Sequence, residues 1–278
     1  MIGCPMQLVR RGCSSRTHRT TLHHRAPLPL VAIVIMTACV SLGTHPPVVA
    51  DRPDFSEGTE HIAPGHWQVE AGTTYAQEGD VTSVNVGELL TRVGLTPRLE
   101  LRFVGNSVVH TRVGHGPWRW DREDALLGFK FGILDASEHP SWTPAFSIIV
   151  GSSLPSGTGE LQAPHAQPEV KLLAAWVIDK RVALTSNVNY ARAYTGTRSI
   201  DEYSTSASFG FTLTERVGAF AELFAFAPRD GSGQLRKFAN TGLSLHLRPD
   251  LQLDARIGAG PSTKMGDHFV GVGVVQRW

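Results

Sequence analysis

The sequence predicts an all-β chain: an antiparallel transmembrane β-barrel of about twelve strands, preceded by a cleaved signal peptide. Three observations carry this expectation. Apolar residues alternate with polar or small ones along stretch after stretch of the chain, the period of strands with two unlike faces. Short charged turns alternate with longer Gly-, Pro- and polar-rich connections, the layout of outer-membrane barrels. A basic leader with a short apolar core precedes both, as in exported proteins.

The strands show first in Leu99-Glu100-Leu101-Arg102-Phe103, where odd positions are apolar and even ones charged. Val170, Leu172, Ala174 and Trp176 form a second apolar row, and Tyr203, Thr205, Ala207, Phe209, Phe211 and Leu213 a third. Leu251, Leu253, Ala255 and Ile257 form a fourth. Between such rows lie similar short turns at Leu95–Leu99, Ile178–Val182, Leu213–Val217 and Leu247–Leu251, with Asp135–Trp142 as a fifth. Pro, Asp and charged residues between apolar strand ends suit tight reversals. The longer connections are Ala76–Asp80, Gly105–Asp121, Pro155–His165, Tyr194–Asp201, Pro228–Arg236 and Gly260–Asp267. These eleven connections imply twelve strands.

Composition supports the scheme. Only 18% of the 278 residues are charged, against about 25% in ordinary soluble domains. Glycine is abundant, at 28 residues. A hydrophobic fraction of 41% with a net charge of +1 argues against disorder and gives no basic field for nucleic acid. The charge is unevenly spread. Residues 1–50 contain Arg10, Arg11, Arg16, Arg19 and Arg25 and no acidic residue. The apolar run Leu28–Leu42, with its unbroken core Val31–Val40, is shorter than the ~20 residues of a spanning helix. Small residues at Val48 and Ala50 place cleavage after Ala50. Met36-Thr37-Ala38-Cys39 offers an alternative, lipidation at Cys39, and translation starting at Met6 or later is compatible with the long basic region. All three cysteines (Cys4, Cys13, Cys39) lie in this segment, so the mature chain has neither disulfide nor thiolate metal site. The expected divisions are a signal peptide over 1–50, a periplasmic N-terminal segment over 51–66 and the barrel over 67–278.

Charged residues at mid-membrane avoid lipid at a cost of ~2–4 kcal/mol and are expected to face the lumen. Three acid-x-base pairs fall on that face: Glu100 with Arg102, Glu169 with Lys171, and Asp254 with Arg256. Asp124, Lys130 and Glu222 are expected to join them. Two readings follow: a polar pore whose wall filters small solutes, or an ion-pair network that fills a narrow lumen. Trp67, Trp142, Trp176 and Trp278 sit near strand ends, where interfacial aromatic belts form. Trp118 and Trp120 lie in a long connection and suit a belt or ligand stacking. Gly151-Ser152-Ser153-Leu154-Pro155 lacks the closing glycine of a nucleophile elbow. Gly258–Lys264 has the wrong spacing for a phosphate loop, and the scattered histidines suggest no metal site. No enzyme activity and no cofactor are expected, an outer-face Ser–His esterase being the remaining catalytic alternative.

Arg52-Pro53-Asp54-Phe55, Gly87-Glu88-Leu89-Leu90 with Arg92, and Gly94–Arg102 resemble the bacterial family of meta-pathway phenol degradation proteins. Pro168–Leu173, Thr214–Phe224 and Pro249–Gly260 are similar to it too. The resemblance implies a bacterial outer-membrane barrel, described as a transporter, and no catalytic residue. The final strand, Val270–Trp278, ends in an aromatic residue, which resembles the signal read by the barrel assembly machinery, with Gln276 departing from it. The expected partners are outer-membrane lipid, that machinery and a small-molecule solute. The expected function is a passive channel or transporter for small, apolar or aromatic solutes. The alternatives are a non-conducting barrel, plugged by residues 51–66 from the periplasmic side, and a soluble periplasmic β-domain.

Overall fold

The structure, a computed structural model, describes residues 48–136, 142–229, 234–260 and 267–278. The leader expected upstream of residue 48 lies outside the described residues, as do the centres of the connections after Asp135, Pro228 and Gly260. The strands are β1 (Trp67–Glu78), β2 (Val81–Thr96), β3 (Leu99–Val104), β4 (Val108–Val113), β5 (Arg119–Arg122), β6 (Ala125–Leu134) and β7 (Ala145–Leu154). They continue as β8 (Gln167–Val177), β9 (Val182–Tyr194), β10 (Ser199–Thr212), β11 (Val217–Pro228), β12 (Arg236–Arg248), β13 (Leu251–Gly260) and β14 (Asp267–Arg277).

Each strand pairs antiparallel with its neighbours, and β1 pairs with both β14 and β2, closing the sheet. The lower half of β2 pairs with β3 and its upper half with β4. β3 continues the line of β4, and β6 that of β5, so these four segments are two interrupted wall strands. The barrel therefore has twelve strands, as the turn alternation predicts. Closure leaves no edge strand. Trp278 donates to the Trp67 carbonyl at 2.9 Å and accepts from its amide at 3.1 Å, and the two indoles stack at 4.1 Å.

The apolar rows face outward. Leu101 and Phe103, Val170 and Leu172, Phe209 and Phe211, and Leu253 and Ile257 all lie on that wall, most of them substantially exposed to the surroundings. Their strand neighbours Glu100, Lys171, Ser208 and Asp254 are buried on the inner side. A polar interior inside an apolar exterior is the pattern a lipid-embedded barrel requires.

Four short turns fall where the sequence puts them, at Leu95–Leu99, Ile178–Val182, Leu213–Val217 and Leu247–Leu251. Two of the longer connections are corrected. Ala76–Asp80 is mostly strand: β1 runs to Glu78, β2 begins at Val81, and the reversal is Gly79-Asp80. Gly79 takes φ +56°, which lets two residues close the hairpin. Gly105–Asp121 contains β4 and most of β5. Its residues Val108–Val113 alternate faces, 105–107 form the break between β3 and β4, and 114–118 form the loop.

Trp67 and Trp278 pin the seam, with stacked rings worth about 1 kcal/mol beyond their buried area. Trp278→Ala is expected to lower the temperature at which the folded barrel loses its fast gel mobility. An unchanged transition would assign the seam to backbone pairing alone.

Candidate functional site: the filled lumen

The inner surface is charged, and a strand register fault concentrates the charges. In the first half of β2, Ser83 and Asn85 face inward; after Gly87-Glu88 the inward residues are Leu90 and Arg92. The register against β1 slips between Glu70 and Gly72. Gly87 adopts φ +107° and Glu88 φ +35°. This bulge inserts residues into one strand only and turns Glu88 into the lumen with no exposed surface. Positive φ at a glutamate is a costly conformation, held here by ion pairs on its carboxylate.

The N-terminal segment passes through this charged space. Asp51 accepts from Arg102 Nη1 at 2.7 Å and lies 3.4 Å from both Arg92 Nη1 and Lys130 Nζ. Arg52 donates to Glu88 Oε2 at 2.7 Å and approaches Asp254 at 3.5 Å. Glu57 takes Lys171 Nζ at 2.8 Å and Arg102 Nη2 at 3.1 Å. An acid, a base and an acid on the segment thus meet base, acid and base on the wall. The wall residues complete the network among themselves: Arg92 binds Glu100 at 2.8 Å and Glu70 at 3.3 Å. Glu169 pairs with Lys171 and Arg256 with Glu88. Among the described residues these ion pairs form two neighbouring groups: Arg52 and Arg256 with Glu88 and Asp254, and Arg92, Arg102, Lys130 and Lys171 with Asp51, Glu57, Glu70, Glu100 and Glu169.

The segment's backbone is satisfied by the same wall. Lys130 donates to the Gly58 and Glu60 carbonyls, Arg92 to the Val49 and Glu60 carbonyls, and Ser147 to the Thr59 carbonyl. The Phe55 and Ser56 amides donate to Glu222 at 2.8 and 2.7 Å, and the Ile62 amide to Glu100 at 3.0 Å. Buried polar backbone without such partners would be costly. Two wall glycines make room: Gly72 and Gly273 are cross-strand partners, and a Cβ on either would collide with the Arg52 guanidinium.

Above this network the lumen turns aromatic. Phe224, Phe226, Phe238 and Phe269 cluster with Ala76. Phe55 stacks on Phe224 at 4.7 Å and meets Phe226 edge-on at 5.2 Å. At the opposite end, Val48–Ala50 face a cavity of about 530 Å³, lined also by Thr212, Ser244, His246 and Gln252.

Burial opposes charge on the carboxyls of Asp51, Asp54 and Glu57. For Asp51 the neighbouring Arg92, Lys130 and Arg102 overcome that penalty and hold its carboxyl well below the usual range. Lys171 and Arg102 do the same for Glu57. Asp54 has no cation paired with it among the described residues; burial and the nearby Glu222 carboxylate push it well above its usual value, against the hydrogen bond from Ser208.

Of the sequence-derived candidates, Glu100, Arg102, Lys130, Glu169, Lys171, Asp254 and Arg256 all lie in the two ion-pair groups. Glu222 faces the lumen but binds segment amides, Ser56 and Asn240 rather than a cation. Asp124 stands apart. It sits in the break between β5 and β6 and accepts from the amides of Ser156, Gly157 and Ala163, fastening the 155–163 connection. Asp51, Arg52, Glu57, Glu70, Glu88 and Arg92 were not among the candidates. Trp118 and Trp120 flank His110, at 4.3 and 3.8 Å, on the outer face of the β4–β5 hairpin.

A closed twelve-strand barrel with an apolar outside and a charged inside is the architecture of outer-membrane channels. The chain belongs to the family described as "Putative MetA-pathway of phenol degradation", whose model matches residues 50–278. Its fold is similar to that of the COG4313 outer membrane channel from Pseudomonas putida F1, with a TM-score of 0.58 and 12% identity over 79% of this chain and 98% of that one. It is also similar to the NanC porin, with a TM-score of 0.50 and 8% identity over 75% and 98% of the two chains. No curated protein matches the chain.

Removing one member of a buried ionic network leaves its partners uncompensated, at about 3–5 kcal/mol. Arg92→Ala is therefore expected to lower barrel stability by that order in urea titrations of the detergent-folded protein. Gly72→Val is expected to displace Arg52, whose guanidinium supplies the atoms nearest to a Cβ there, detectable as faster proteolysis near residue 52. Unchanged stability in the first variant and unchanged proteolysis in the second would mean the segment is not seated on these residues.

Proposed function

We propose that this chain is an outer-membrane channel for small solutes that is held closed by its own N-terminal segment. The observation that carries the reading is the seating of residues 48–62 across the lumen on complementary charges. The charged wall outlines a water-compatible path once the segment leaves, because its side chains then face one another across solvent rather than protein. The aromatic cluster around Phe224 supports small apolar or aromatic molecules as the solutes. Phe55 stacks there as a flat ring from outside would. The apolar outer wall fits outer-membrane lipid, and the final strand ending at Trp278 fits recognition by the barrel assembly machinery. The reading assigns no chemical step to the barrel.

Planar-bilayer conductance tests it. Wild-type protein is expected to open rarely. Asp51→Asn with Glu57→Gln, which removes both acidic anchors, is expected to conduct more often with the same unit current. Absence of current from every variant, with the barrel folded, would favour the non-conducting reading.

The docked segment also predicts a pH dependence. Asp54 has its carboxyl raised when docked, so docking is favoured with Asp54 protonated. That contribution is complete below the ordinary carboxylate value near ~4 and is lost as pH rises through the raised value. Asp51 and Glu57 have lowered values, so their contribution stays complete above the same ordinary value. Opening is therefore expected to increase from mildly acidic to alkaline pH, and Asp54→Asn to flatten the profile. A profile unchanged by that substitution would remove Asp54 from the control of opening.

A further inference from the structure

A buried carboxylate of the wall meets the main chain of the segment beside the expected leader cleavage site. Glu70 is fully buried on β1. Its carboxylate accepts from the Asp51 amide at 3.2 and 3.1 Å and from the Arg52 amide at 3.1 Å. Gln68 donates to it at 2.9 Å, and Arg92 Nη1 lies at 3.3 Å. That arginine is shared with Asp51 and Glu100. A carboxylate aimed at a main-chain nitrogen by both its oxygens is placed for a charged donor there.

We infer that Glu70 is the receptor for the new α-ammonium group that leader removal creates on Asp51. Hydrolysis of the Ala50–Asp51 peptide bond by a leader-removing peptidase consumes one water. The C–N bond breaks; the carbonyl carbon gains the water oxygen and leaves as the Ala50 carboxylate, and the nitrogen gains both water protons and becomes the α-ammonium of Asp51. That group sits where the amide already points. Cleavage also removes Val48–Ala50, which occupy the short-turn end of the lumen: the Val48 amide donates to the Pro249 carbonyl and the Val48 carbonyl accepts from His246 Nε2. The same cut therefore exchanges a neutral tether for a charged anchor and clears the lumen entrance. Before cleavage the amide makes a weaker bond, because hydrogen bonds between charged partners are roughly twice as strong as neutral ones. Firm closure is thus a property of the processed chain.

The inference rests on the docked segment and is independent of whether the barrel conducts. Its test is amine labelling of the exported, detergent-folded protein with cyanate at neutral pH, read by mass spectrometry of the N-terminal peptide. The mature chain is expected to begin at Asp51. Its α-amine is expected to react at least about tenfold more slowly than in the urea-unfolded protein, the factor for roughly one charge-assisted hydrogen bond. Glu70→Gln is expected to restore fast labelling while the barrel keeps its heat-modifiable mobility. Should that variant not fold, the folded-to-unfolded ratio of the wild type decides. A mature chain beginning elsewhere, at Cys39 for example, would overturn the inference, as would equal labelling of folded and unfolded protein. Equal labelling of folded wild type and Glu70→Gln would overturn it too. A channel that conducts freely with a protected amine would count against the channel closure alone.

Discussion

The buried charge of the lumen is the constraint on which the rest of this structure depends. A barrel of twelve strands has an interior narrow enough for side chains and one extended segment to fill. Charges cannot point into lipid, so they point inward, where each must find a partner or water. The wall alone carries Arg92, Arg102, Lys130 and Lys171 as a basic group and Glu88 with Asp254 as an acidic one. Asp51, Arg52 and Glu57 complete them. Filling the lumen and pairing its wall charges are one event, which is why the segment's charges follow the order of the wall's.

Several local features become intelligible from that requirement. The Gly87-Glu88 bulge costs backbone strain, yet it moves both Glu88 and Arg92 onto the inner face. Gly72 and Gly273, opposite one another in β1 and β14, give up side chains so that Arg52 can lie against the wall. Gly94 does the same for the Ile62 and Ala63 carbonyls where the segment leaves the lumen. The interruptions that divide β3 from β4 and β5 from β6 lie close together, since the Glu123 amide donates to the Ser107 carbonyl. Asp124 spends its carboxylate on the connection that covers this break.

Much of the architecture was legible in the sequence because it rests on two local signals. Alternation gave the outward faces of β3, β8, β10 and β13 directly, since lipid and lumen demand opposite side chains on successive residues. The repeated short turns gave the strand count, including the two wall strands that are interrupted. The acid-x-base pairs located the lumen charges of β3, β8 and β13, where the period is unbroken. Arg92 and Glu88 were hidden because the bulge shifts the period within β2. Glu70 was hidden because its strand neighbours Val69 and Ala71 make a faint apolar row. Asp51, Arg52 and Glu57 belong to no strand, and what gives them meaning is complementarity to residues far away in the chain. The short signal that did exist was the run Arg52-Pro53-Asp54-Phe55, which carried the family resemblance without revealing its place.

The central claim is that the N-terminal segment closes the lumen from within. The most direct measurement is conductance of the doubly substituted protein Ser56→Cys, Ser206→Cys, compared before and after reduction. The Ser56 hydroxyl donates to the Ser206 hydroxyl at 2.8 Å, so the two side chains face one another when the segment is docked. The oxidised protein is expected to form the crosslink in the folded barrel and pass no current, with openings restored by reductant. Failure of the pair to crosslink in a folded barrel, or free conduction by the crosslinked protein, would contradict the account.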